Sequence, residues 1–135
     1  MRWILVLFII LSGCSPRYEK VTKRDIDRGV LIELHNDSRT KPLQIDFVLD
    51  EYAQKHAEWM ASRSSLKHSS LQGDYLTMGE NIAAGQQDEK EVVKDWMKSS
   101  GHRRNILDVN FTHVGFGCAE NSKGTPYWCT VFGGR

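Results

Sequence analysis

The sequence predicts an α+β domain in which helices pack over an antiparallel sheet. Two observations point there. Apolar residues recur at helical spacing from Ile26 to Met97, and residues 114–132 then become two runs of β-formers around a turn. Helices first and strands last are the order of an α+β arrangement.

The elements follow in chain order. Met1 and Arg2 precede an unbroken apolar run, Trp3 to Leu11, which is too short to span a bilayer and reads as the core of a signal peptide. Leu11-Ser12-Gly13-Cys14 resembles a bacterial lipobox, so residues 1–13 are expected to be cleaved off and Cys14 to carry the lipid, palmitate included. The mature protein would then be a lipoprotein held to the membrane by covalent lipid, outside the cytoplasm, with Ser15 favouring the outer membrane in a Gram-negative host. Residues 14–24 are polar, contain a proline and read as a tether. Residues 25–135 form the one domain that this length allows.

Within that domain, Ile26, Val30 and Leu34 recur every four residues, which predicts a helix over 25–39. Phe47, Val48, Tyr52, Ala53, Ala57, Trp59 and Met60 spread apolar surface around a second helix, 46–63, expected to be sandwiched. Val92, Val93, Trp96 and Met97 give a third, opened by Asp88 with Glu91 in capping-box order. Gly101 is expected to stop it. Residues 114–119 and 127–132 form a hairpin. Trp59, Trp96, Tyr127 and Trp128 are expected in the core, since large aromatics dominate burial.

Composition excludes some partners. With 18 basic and 17 acidic side chains the formal charge is +1, which carries no signal for nucleic acid or for a polybasic membrane surface. Beyond Cys14 two cysteines remain, an even number in an exported chain. A turn centred between Lys123 and Gly124 would set Cys118 opposite Cys129, predicting a disulfide.

Seven motifs then appear in order. Leu34-His35-Asn36 with Arg39 and Pro42-Leu43 comes first, then His68-Ser69, then Met78-Gly79-Glu80-Asn81-Ile82-Ala83 and Trp96-Met97. Gly101-His102-Arg103, Phe111-Thr112-His113-Val114-Gly115 and Tyr127-Trp128 with Val131-Phe132-Gly133 complete the series. Together they resemble the CAP superfamily, the SCP domain of cysteine-rich secretory, antigen 5 and pathogenesis-related proteins. The resemblance implies a three-layer α-β-α sandwich with a small antiparallel sheet and a cleft. In many members two histidines and two acids meet there and hold a divalent metal, often zinc. Matched residue by residue, His68, Glu80 and His102 are the candidate catalytic and metal-ligating residues, while Ser99 stands where the second acid would be. Thr130 stands where bacterial relatives often have glutamine.

Other roles for the same residues remain open at this stage. His68 lies in a polar stretch where a solvated histidine is common. Glu80 could accept backbone N–H bonds in a tight turn at Gly79, and His102 could cap a short helix. Arg103 and Arg104 read as solvated, and His35, His56 and His113 as structural or surface residues.

Three functions fit. The preferred one is an anchored, monomeric binding module whose cleft takes an extracytoplasmic lipid, peptide or envelope component, with or without a metal. The second is a metal-dependent hydrolase of peptide or ester bonds, and the third a structural lipoprotein. Two imidazoles and one carboxylate can make a catalytic zinc set. Yet the incomplete tetrad and the absence of a Gly-x-Ser-x-Gly motif weigh against catalysis.

Overall fold

The computed structural model describes residues 19–135. The expected signal peptide, the expected lipidation site Cys14 and the first part of the expected tether lie outside the described residues.

Asp27 caps a first helix, α1 (Arg28–Asn36), accepting from Val30 N at 3.0 Å, after a short strand β1 (Thr22–Lys23). A second short strand, β2 (Gln44–Ile45), leads into α2 (Phe47–Arg63), capped by Asp46 on Val48 N and Leu49 N and ended by Ser64 in the left-handed conformation, φ 46°. Strand β3 (Thr77–Ala84) follows, then α3 (Glu89–Lys98), whose Asp88 cap accepts from Glu91 N at 2.8 Å. Helix α4 (Ser100–Leu107) and the strands β4 (His113–Glu120) and β5 (Pro126–Gly134) complete the chain.

Two expectations change here. The break after α3 is made by Ser99, extended at φ −96° and ψ 121°, and Gly101 lies inside the first turn of α4. Glu80 is in the middle of strand β3 and not in a turn at Gly79.

The sheet runs β1-β4-β5-β3, antiparallel along that path, with β2 parallel to the opposite end of β4. β5 is central and buried along its whole length. Alternation of side chains across the sheet then builds two cores. Leu49, Ala53, Ala57, Met60 and Ala61 of α2 pack on Ile82, Tyr127, Cys129 and Val131. On the other face Leu31, Val92, Trp96 and Ile106, from the remaining helices, pack on Val114, Phe116, Cys118, Trp128 and Phe132. This is the three-layer α-β-α sandwich.

Side chains close both sheet edges. Between β1 and β2 the stretch of β4 that has no strand partner on that side is bonded by α1 and α2 as a neighbouring strand would bond it. Asp50 Oδ1 accepts from Phe116 N at 2.7 Å and Arg28 Nη2 donates to Phe116 O at 3.3 Å. Gln54 both accepts from Cys118 N at 3.1 Å and donates to Cys118 O at 3.0 Å. On the β3 edge, Asn105 donates to Glu80 O at 3.1 Å and Trp96 Nε1 to Ile82 O at 3.1 Å. Groups that could recruit another strand are thereby engaged.

The disulfide expectation is overturned. The hairpin loop is Asn121 to Thr125, centred on Lys123, because Asn121 Oδ1 accepts from both Lys123 N (3.0 Å) and Thr125 N (2.9 Å) while Gly124 turns at φ 77°. The centre is half a residue from the expected one, so Cys118 pairs with Trp128, and Cys129 with Gly117. That shift sends the two sulfurs to opposite faces, and both cysteines are free thiols. Burial pushes the Cys118 thiol up to about 12, and burial together with Glu80 pushes Cys129 well above its ordinary value. An aromatic-disulfide thiol assay on native protein is expected to find both unreactive, and the same assay in denaturant to find both reactive.

Trp96, Tyr127 and Trp128 are core residues as expected. Trp59 is only half-buried. It is flanked by its helix neighbours His56, stacked at 5.6 Å between ring centroids, and Arg63, 4.8 Å from the ring.

Candidate functional site

Glu80 points from β3 toward the α2 side of the sheet and is 6% exposed. A carboxylate so deep needs donors. The irregular segment after α2 supplies them. His68 Nδ1 donates to Glu80 Oε1 at 2.7 Å, Ser69 N to the same oxygen at 3.0 Å, and Ser69 Oγ to Oε2. The Cys129 thiol lies 3.8 Å from Oε2. Tyr52 anchors the segment from α2 by donating to Ser70 O at 2.7 Å.

The opposite wall is the start of α4. Asn81 donates to His102 O at 3.0 Å and Asn105 to Asn81 Oδ1 at 2.9 Å, which ties the helix to β3. His102 is the third residue of α4, with its ring 6.4 Å from that of Trp96. Burial first, and the neighbouring His68 second, lower its pKa, so the imidazole is held neutral near pH 7. Between the walls lies a cavity of about 440 Å³ lined by His68, Ser69, Leu71, Glu80, Ser99, Gly101, His102 and Asn105.

The three candidate residues therefore meet in one cleft, but in different positions. Glu80 is buried at the floor, His68 bridges it to solvent with a side chain 62% exposed, and His102 lines the facing wall. Ser99 lines the cleft as well, its hydroxyl making no cap bond to α4. Arg103 and Arg104 are exposed. His35 is fully buried under Trp96, Phe116 and Phe132, and His113 Nδ1 bonds Thr112 Oγ1 at 2.7 Å.

Sequence reasoning missed His56. Its Nε2 is 2.7 Å from Lys67 O and 4.0 Å from Glu80 Oε2, which puts a second imidazole beside the buried carboxylate. The signal was present: His56 lies three residues after Ala53 and four before Met60, both on the buried stripe of α2. Asn81 and Asn105 were also passed over, because an asparagine that ties helix to strand has no sequence signature apart from its motif.

The donor set does not suit a resident metal. Both oxygens of Glu80 are occupied by protein donors, and Nδ1 of His68 is spent on Glu80. That leaves two imidazole nitrogens, where catalytic zinc sites have three protein ligands. Among the described residues no group of three or more His, Cys, Asp or Glu side chains is arranged to hold a metal ion.

The Glu80 network gives a stability prediction. Glu80→Ala leaves Ser69 N and the His68 ring without their acceptor, and a urea titration is expected to show a loss of about 2–3 kcal/mol. Glu80→Gln keeps one acceptor oxygen and should lose about half as much.

Comparison with known proteins agrees with this architecture. The chain is 39% identical to YkwD of Bacillus subtilis over 121 residues, 78% of this chain and 46% of that protein, so it spans less than half of that relative's length. Its fold matches an outer surface protein from Borrelia burgdorferi with a TM-score of 0.72, covering 86% of this chain and 99% of that one at 17% identity. It also matches NaASP2, solved with Zn2+, with a TM-score of 0.63 at 16% identity, covering 90% and 84% of the two chains. At such identities the likeness concerns the fold. The sequence profile of the CAP, Cysteine-rich secretory protein family spans residues 32–132, and the chain belongs to that family.

Proposed function

We propose that the protein is an extracytoplasmic CAP-domain lipoprotein, anchored through Cys14, that works by binding a ligand in the His68–His102 cleft. The observation that carries this is the cleft itself. Its polar floor is consumed in holding its own shape, since Glu80, Ser69, Asn81 and Asn105 bond one another or the backbone. What remains facing the cavity is two imidazole edges, the Ser99 hydroxyl and apolar Leu71. A preformed cavity of this size with a few convergent polar groups is what small-ligand sites look like. The surface location of the Borrelia protein and the lipobox-like Leu11–Cys14 support an extracytoplasmic setting, and among the described residues no helix is long and apolar enough to cross a membrane.

Imidazole NMR on the chain from residue 15 tests the binding role. The probes are short peptides, phosphatidylglycerol micelles and soluble peptidoglycan fragments. At least one probe class is expected to shift the His68 and His102 resonances, and His102→Ala is expected to abolish its binding. Turnover of a probe that disappears in His102→Ala would instead make the protein a hydrolase, and no shift with any probe would sink the binding reading. Zinc added after chelation is expected to leave the melting temperature unmoved, since two imidazoles bind too weakly for the metal to stabilise the fold. A clear rise that His102→Ala removes would restore the metal.

A further inference from the structure

We propose that the end of the domain bearing Lys20, Lys23 and Lys123 is a docking surface for an anionic lipid bilayer, which holds the anchored domain in one orientation. The proposal rests on lipidation at Cys14 and goes beyond it. A lipid alone attaches the domain; this surface would decide which way it faces.

The chain length sets the geometry. Cys14 and Glu19 are five residues apart, so the point where the chain joins the domain can lie at most about 18 Å from the lipidated residue. That point is fixed at one end of the sandwich. Glu19 Oε2 accepts from Ser122 Oγ in the hairpin loop at 2.9 Å and from Ser64 Oγ at the end of α2 at 3.1 Å. β1 then pairs Thr22 with Glu120 and Lys23 with Ala119, which brings both residues to the same end.

The charge at that end is positive. Lys20, Lys23 and Lys123 are exposed. Glu120 is paired with Arg24 at 2.7 Å, and Glu19, held as a carboxylate by the two neutral serines and by Lys123, offsets one of the three lysine charges and leaves the end positive. The exposed tip of the hairpin loop is Ser122-Lys123-Gly124, with no bulky side chain to hold the lysines off a surface. Each lysine brought to an anionic bilayer within a Debye length, about 10 Å, is attracted to it. The start of α2 points away. Seventeen helical residues put Phe47 about 25 Å farther along, at the end where Arg135 bonds both Asp46 and Tyr75; their neighbours Phe47 and Leu76 are 85% and 88% exposed.

The buried thiols make a clean test available. The chain from residue 14 is coupled through Cys14 to maleimide lipid in vesicles, and lysine acetylation is followed by mass spectrometry. On vesicles with roughly one third phosphatidylglycerol, Lys20, Lys23 and Lys123 are expected to react about fivefold more slowly than on pure phosphatidylcholine, with Lys41 and Lys98 unchanged. Molar salt should remove the difference. Equal rates on the two vesicles, or protection of Lys41 or Lys98 instead, would overturn the docking surface. Because this coupling is chemical, the result is independent of lipidation in the cell. Intact-mass spectrometry of the chain recovered from cell membranes tests that separately: a chain beginning at an acylated Cys14 supports the anchor, and an unmodified Cys14 overturns it.

Discussion

Gly115→Ala is expected to yield little or no folded protein. A Cβ at Gly115 would stand 2.0 Å from Leu49 C and 2.1 Å from Asp50 N, inside the backbone of α2. No rotamer change relieves a clash with main chain, so α2 must lift from the sheet. Lifting it uncovers Leu49, Ala53, Ala57 and Met60, all buried to 1% or less, and pulls Asp50 from Phe116 N. Opening a core contact of that kind costs on the order of 4 kcal/mol, much of a domain's total stability. Gly117→Ala, with its Cβ 2.4 Å from Gln54 N, should behave alike. Gly101→Ala is the contrast: nothing lies within 4 Å of its Cβ and the residue is helical, so a gain of about 0.5 kcal/mol is expected. Denaturant titration of the three variants checks the order, and a Gly115→Ala protein as stable as the parent would refute the close approach of α2 and β4.

Stability is expected to fall by about 3 kcal/mol between pH 6.5 and pH 4, and His35 is the main cause. Its Nδ1 donates to Leu31 O at 2.8 Å, while Nε2 is buried without a partner among Trp96, Phe116 and Phe132. Burial pushes the pKa down from 6.5 to about 4, with the Arg39 charge adding to the same effect. The folded state therefore binds fewer protons than the unfolded chain over this window. Stability from the neutral ring is complete above pH 6.5, is lost progressively as the pH falls toward 4, and changes little below that, where the folded ring is protonated too. His102, whose pKa is also lowered by burial and by His68, contributes a smaller slope of the same sign. His35→Leu should flatten most of the dependence, leaving the share of His102. An unchanged slope in that variant would show that His35 does not stay neutral in the fold.

Particular elements show how much of this was readable in advance. Helix α2 was visible because its apolar residues cover more than one side, the pattern of a helix pressed between a sheet and a covering segment. The start of α3 was visible in Asp88 and Glu91, since a cap is a local hydrogen bond. Strand β3 was not assigned from pattern, because its Gly-Glu-Asn core breaks the β-former signal. Its place in the sheet is decided by pairing with β5 and by the side chains of Asn105 and Trp96. The expected disulfide failed by one residue of register, which depends on how the Asn121 side chain folds the loop back on itself.

The same division runs through the site. Local spacing made three of the helices and the hairpin legible, because those signals are written over a few neighbouring positions; His68, Glu80 and His102 were singled out only through the resemblance to the family, and helix α4 was not foreseen. The tertiary structure decided what each residue does in the cleft. It buried Glu80 and saturated both its oxygens, brought His56 alongside from α2, left Ser99 at the rim and put the two cysteines on opposite faces. Those outcomes depend on contacts between residues far apart in the chain, and they turn on register and packing, where a shift of one residue exchanges the buried face for the other.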